Sequence, residues 1–296
     1  MFLPSAYMSD EPVCTSMSTT SYQNVMVVAD GTDTAVSHAL EVSEKFGSKL
    51  HSLYVFDPST ADVLSDEDRA GALEQMEATG TEETSRIAEL AGERGIDTAR
   101  AVREGVPHRA VARYADEKGV DLVVLRSSGA DTPASLPYRA TRLVDVPVLT
   151  VPDSAEADGY DSIVVPTDGS DEATKAGEHA VALAERYDAD VHAVYVVKSA
   201  IHDYKDAPRS IVGMLKEAGE NATEEIVSLA DDAGVSATKT VVKGTPYNKI
   251  LRHADDVEAD LIAMGKMGLD ADERDFIGST TERVLHESGV PVLSVE

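Results

Sequence analysis

Gly265-Lys-Met-Gly268, nine further residues and then Gly278-Ser279-Thr280 form the stretch of this sequence whose residue types and spacing suit anion binding. Glycine lets backbone come close to a ligand and reach positive φ. A helix starting at Ser279 would present unpaired N–H groups and the positive end of its dipole to whatever lies before it. The Ser279 hydroxyl adds a donor, and Thr280 a second short polar side chain. Such a constellation holds phosphate. A bare Gly-x-x-Gly punctuates many turns and carries little by itself. Asp168-Gly169, alone, reads as a turn that caps the following helix; its place at the end of an apolar run makes it a second candidate part of the same site. Neither Gly-x4-Gly-Lys-Ser/Thr nor Gly-x-Gly-x-x-Gly occurs, so the usual signatures of kinases, GTPases and dehydrogenases are missing.

Positioning these residues requires strands that end where the glycines begin, and the chain supplies them twice. Asn24-Val-Met-Val-Val-Ala-Asp30-Gly31 matches Ser162-Ile-Val-Val-Pro-Thr-Asp168-Gly169 in pattern, and Ser37-His-Ala-Leu matches Glu178-His-Ala-Val. Leu53-Tyr-Val-Phe, Gly105-Val-Pro107, Asp121-Leu-Val-Val-Leu and Val146-Pro-Val-Leu-Thr-Val find counterparts from Val194, Gly244, Asp260 and Val290, in the same order and nearly the same spacing. This is a duplicated unit of about 130 residues, within the ordinary range of a domain. The boundaries expected are an unstructured extension over Met1 to Ser21, a first domain over 22–151, a polar linker over 152–159 and a second domain over 160–296. In the second copy, strands are expected at about Ser162 to Pro166, Val191 to Val197, Ala237 to Val242, Asp260 to Met264 and Val290 to Val295. Ala173, Ala176, Ala180, Ala184 and Tyr187 mark one face of a helix between the first two. Apolar strands alternating with helices predict an α/β fold of two tandem doubly wound domains, each with a five-stranded parallel sheet flanked by helices. Ligands then sit beyond the carboxyl ends of the strands, where strand order reverses.

The full pattern Gly-x2-Gly-x9-Gly-Ser between strand and helix, with Asp168 before it, resembles the ATP-binding subgroup of the universal stress protein family. The repeated Asp-Gly, Gly-x-Pro and Pro-Val-Leu-x-Val landmarks resemble its two-domain members over residues 23 to 296. The resemblance implies an adenine nucleotide alpha hydrolase-like fold and ATP as ligand, with or without Mg²⁺. It implies that Pro166, Thr167 and Asp168 line the nucleoside pocket, that the backbone of Val196 holds adenine, and that Met264 and Gly265 flank the nucleotide. Gly268, Gly278, Ser279 and Thr280 would cradle the phosphates. Lys266-Met267 departs from the Ser and His or Arg usual between the first two glycines, and Lys266 is expected to supply positive charge. The first copy keeps Asp30 but has Arg126 where the first glycine belongs. Its intervening segment, Ala130 to Pro133, is five residues shorter, and it lacks the third glycine. That copy reads as degenerate for ATP, with Arg126 and Arg139 available to another anion.

The chemistry excluded follows from charge and composition. Asp and Glu number 54 against 26 Lys and Arg, a net charge of −28, which repels nucleic acid and anionic lipid. The acidic surface has the character of proteins from salt-rich cytoplasm. Cys14 is the only cysteine, so neither a disulfide framework nor a cysteine zinc site is available. No apolar run reaches the ~18 residues of a membrane span, and the chain reads as soluble and cytoplasmic. His38 and His179 recur at matching helical positions and read as packing residues; His253 with Asp255 and Asp256 reads as a hydrated helix end rather than a metal site. No catalytic residue is assigned. The expected function is an ATP-binding regulatory protein of stress response that works through a protein partner. The two copies are expected to pair through their last strands as an intrachain pseudo-dimer, on which a further homodimer could build. A weak ATPase or phosphotransferase and a nucleotide-free scaffold are the alternatives.

Overall fold

The computed structural model describes residues 20–127, 135–198, 209–269 and 277–296, with backbone alone over 209–212. The expected extension over Met1 to Ser21 therefore lies, up to Thr19, outside the described residues, as do Ala130 to Pro133. The first copy folds as β1 (Asn24–Val28), α1 (Thr34–Phe46), β2 (Lys49–Phe56), α2 (Asp66–Glu93), β3 (Thr98–Glu104), α3 (Pro107–Lys118), β4 (Leu122–Arg126), α4 (Leu136–Leu143) and β5 (Val148–Val151). The second repeats it as β6 (Ser162–Thr167), α5 (Asp171–Tyr187), β7 (Asp190–Lys198), α6 (Arg209–Ala233), β8 (Ala237–Gly244), α7 (Pro246–Asp256), β9 (Leu261–Gly265), α8 (Ser279–Glu287) and β10 (Val292–Val295). The elements expected in the second copy all form, with ends displaced by a residue or two.

The local reasons are legible residue by residue. Val25 to Val28 and Ser162 to Thr167 are buried throughout because helices cover both faces of these central strands. The alanine face of α5, Ala173, Ala176, Ala180 and Ala184, is buried as its spacing predicts. Each Asp-Gly turn leaves its strand through a glycine at φ +83°, Gly31 in one copy and Gly169 in the other, a backbone conformation that excludes most side chains. Ser170 then caps α5 by accepting from the Ala173 N–H at 3.3 Å. At the opposite end of the sheet, Asp121 accepts from the amides of Gln23 and Asn24, both at 2.8 Å, and Asp260 accepts from those of Asp161 and Ser162 at 2.8 and 3.0 Å. One carboxylate in each copy thus ties the first strand to the fourth.

All ten strands belong to one sheet in the order β3-β2-β1-β4-β5-β10-β9-β6-β7-β8. Pairing is parallel except at the centre, where β5 and β10 run antiparallel with Leu149 opposite Leu293. The last strands of the two copies therefore join the halves. Strand order reverses between β1 and β4 and between β6 and β9, which places the switch points of the two halves. On the face carrying α1 and α5 the core runs unbroken across the junction, whereas each half keeps a separate core on the other face.

The histidines contribute more than packing to that continuous side. The Tyr22 hydroxyl pairs with His179 Nδ1 at 2.8 Å, and His38 Nδ1 with the Tyr160 hydroxyl at 3.1 Å, so each half sends a tyrosine to the other half's helix. Lys45 lies over the Tyr187 ring, and Arg186 over that of Phe46, in the same reciprocal way. The segment 152–159 has no helix or strand but is pinned, Ser154 donating to the Gly289 carbonyl at 3.3 Å.

Candidate functional site

A cleft opens at the carboxyl ends of β6 and β9, the switch point of the second half, with about 840 Å³ of empty space counting its open mouth. The end of β6 and the turn after it contribute Pro166, Thr167 and Asp168; β7 contributes Val196; β9 contributes Met264 and Gly265; the following loop and α8 contribute Gly268, Gly278, Ser279 and Thr280. All ten residues singled out from the sequence line this one cleft. Val194 and Lys198 on β7, Pro246 and Ile250 on α7, and Ala173, Met267 and Thr281 complete it and were not foreseen. Their signal was available. Val194 and Lys198 flank Val196 at two-residue steps on one strand face, and Gly244-Thr-Pro246 follows a parallel strand at the same end of the sheet.

Asp168 holds the site together. Its Oδ1 accepts from the Ser170 N–H at 3.1 Å and its Oδ2 from the Leu269 N–H at 2.8 Å, so one carboxylate bridges the strand end and the glycine loop. A Cβ added at Gly268 would lie 2.3 Å from Asp168 Oδ2, and one at Gly265 would lie 2.9 Å from Glu172 Cβ and the Met267 carbonyl. Gly265 and Gly268 are therefore required for space. None of Gly265, Gly268 and Gly278 has the positive φ that the sequence reading allowed for, and Gly278 sits in extended backbone at φ −69°. Gly278 is the N-cap of α8 and has no side chain with which to occupy the first-turn amides, which leaves those donors to a ligand. Thr281 Oγ1 donates to the Gly265 carbonyl at 2.9 Å and fixes the start of the helix against β9.

Lys266 does not serve the cleft. The residue is 2% exposed; its Nζ donates to the Val144 carbonyl of the first half and lies 3.4 Å from Glu296 Oε2 of its own half. Burial lowers its pKa, against the opposing pull of Glu296. The expectation of a phosphate-facing charge there is corrected by the direction of the side chain.

At the corresponding strand ends of the first half, an arginine stands beside the aspartate among the described residues. Arg126 Nε lies 2.5 Å from Asp30 Oδ2 and Nη1 lies 3.2 Å from Asp153 Oδ1. Asp30 Oδ2 thus receives a guanidinium where its counterpart in the second half receives a loop amide. The arginine expected to await another anion is engaged by these two carboxylates. Among the described residues, no three His, Cys, Asp or Glu side chains gather into a metal-binding group. His253 instead stands edge-on to His192 at 6.4 Å between ring centres. No described helix is long and apolar enough to cross a membrane.

Known proteins give this geometry its context. A relative named as a universal stress protein from Methanocaldococcus jannaschii is 39% identical over 140 residues, covering 46% of this chain and 82% of its own. The crystal structure of a universal stress protein from Archaeoglobus fulgidus superposes with a TM-score of 0.71 at 19% identity, covering 93% of this chain and 97% of its own. A Pseudomonas aeruginosa protein of unknown function does so with a TM-score of 0.65 at 18% identity, covering 93% and 92%. At such identities the two structures speak to the fold alone. The model of the universal stress protein family matches twice, over residues 21–152 and 159–296, and the chain belongs to that family as a tandem of two copies.

Proposed function

We propose that the second half binds one adenine nucleotide, ATP foremost, and that the protein acts as a regulatory module whose partner contacts depend on whether that site is filled. The observation that carries this reading is the convergence of the uncapped start of α8 and the Asp168-braced glycine loop on one cleft at the β6/β9 switch point. Phosphates suit the amides of the helix start. The apolar wall of Val194, Val196, Pro246 and Ile250 suits a flat base. Asp168 is the one carboxylate among the described lining residues, and backbone amides already engage both its oxygens. Phosphoryl transfer needs metal ligands together with a base or water-positioning group, and a single carboxylate among the described lining residues favours binding over turnover. In the first half Arg126 covers Asp30, which supports a stoichiometry of one. Calorimetric titration with ATP, with and without Mg²⁺, tests the reading, together with mass spectrometry of nucleotide released on denaturation. One site per chain and no appreciable hydrolysis is the expected result. Two sites, or none, overturns it.

A further inference from the structure

Lys266 is a buried lysine whose backbone and side chain serve different places. Its backbone belongs to the cleft: the N–H donates to the Val295 carbonyl at 2.6 Å, and the carbonyl accepts from Gly278, the N-cap of α8, at 2.7 Å. Its side chain leaves the cleft and ends on Val144, which closes α4 of the other half. An ammonium that donates to a backbone carbonyl gains a charge-assisted hydrogen bond. Burying that charge is costly without such partners. The helix it grips is already docked across the junction, with Tyr138 packed on the second half's core. Ser127 holds the matching place in the first half and donates its N–H to Val151 at 2.7 Å, but its side chain is too short to cross. The link therefore runs one way.

We infer that Lys266 is a positioning residue that fixes the glycine loop and the start of α8 against α4 of the first half, so that ligand affinity in one half depends on the other and occupancy is felt at α4. The chain of contacts is continuous: Gly278 N–H to the Lys266 carbonyl, and Lys266 Nζ to the Val144 carbonyl. The part concerning ligand rests on the nucleotide reading above; the mechanical part does not.

The experiment compares full-length wild type with Lys266→Met, which keeps an apolar stem and loses the donor, and Lys266→Arg, which restores a cation. Without nucleotide, Lys266→Met should speed amide hydrogen exchange both at the start of α8 (Gly278 to Glu282) and at the end of α4 (Arg142 to Val144). With nucleotide, it should weaken ATP binding about tenfold, within the range usual for coupling between sites. At saturating ATP it should also lose the protection that wild type gains at α4. Lys266→Arg should recover most of both effects. His179→Leu breaks a contact between the halves away from the loop, and should lower the melting temperature while leaving ATP affinity and α8 exchange unchanged. If Lys266→Met does not fold, Lys266→Gln, one atom shorter but polar, takes its place. Unchanged exchange at either end in the ligand-free variant overturns the strut, whatever nucleotide does. A wild type that binds no ATP overturns the nucleotide reading, while ligand-free exchange still decides the strut.

Discussion

Gly268 and Gly278 belong to one loop and differ in what a side chain would meet. At Gly268 a methyl would press on Asp168 Oδ2, so Gly268→Ala should break the Asp168–Leu269 clamp, cost about 1–3 kcal/mol of stability as overpacking does, and lose ligand with it. At Gly278 the nearest atom to an added Cβ is the Lys266 carbonyl oxygen at 3.5 Å, an ordinary contact, and the backbone is extended. Gly278→Val should therefore keep the melting temperature of wild type and abolish ATP binding by filling the space before α8. Ser279→Ala should cost about 1.5–3 kcal/mol of affinity, the contribution of one hydrogen bond to a charged group. Calorimetry and thermal melts on the three variants separate these outcomes. The residues that line the cleft were legible because they sit where strands stop and helices start, places that sequence marks with Gly, Asp and Ser. The direction of Lys266 was not legible: its partner is 122 positions away, and nothing local distinguishes a lysine that faces the ligand from one that faces the other half.

Among the elements, α1 and α5 carry the clearest consequence. Burial lowers the pKa of His38 and of His179 from 6.5 to about 4. Between those values the unfolded chain binds the protons that the folded chain refuses, so this stability is complete above about pH 6.5 and is lost as pH falls towards 4. Each histidine should account for a loss on the order of 3 kcal/mol across that window. Glu41, whose carboxyl burial raises, works in the opposite sense and returns part of the loss in acid. Urea midpoints at pH 7.5, 5.5 and 4.5 check the slope, and His179→Leu should make it shallower. The strands and helices were readable because apolar runs and alanine spacing are local. The tyrosine–histidine exchange was half readable: Tyr22 and Tyr160 each stand two residues before a matching strand, Asn24 and Ser162, yet only three dimensions show that each meets the histidine of the other copy.

For the whole molecule, 54 acidic against 26 basic residues repel one another across a structure whose halves meet at one pair of four-residue strands, at the shared core of one face and, on the other face, at Tyr138 and Lys266. Counterions shorten that repulsion from about 10 Å at 0.1 M salt to about 3 Å at 1 M. The denaturation midpoint should rise from low to molar KCl, and a flat profile would remove the charge argument. The antiparallel meeting of β5 and β10 has an effect on valence. Because each half is parallel inside, the carboxyl ends of its strands point one way, and the junction turns the other half's ends in the opposite direction. The cleft and the Arg126–Asp30 pair consequently lie at opposite poles. Two identical copies joined in this manner would offer a receptive mouth at each pole and could bridge two partners into a chain. This fused pair presents the cleft at one pole and the Arg126–Asp30 ion pair at the other, so under the nucleotide reading proposed above a partner that reads the filled cleft would be engaged singly.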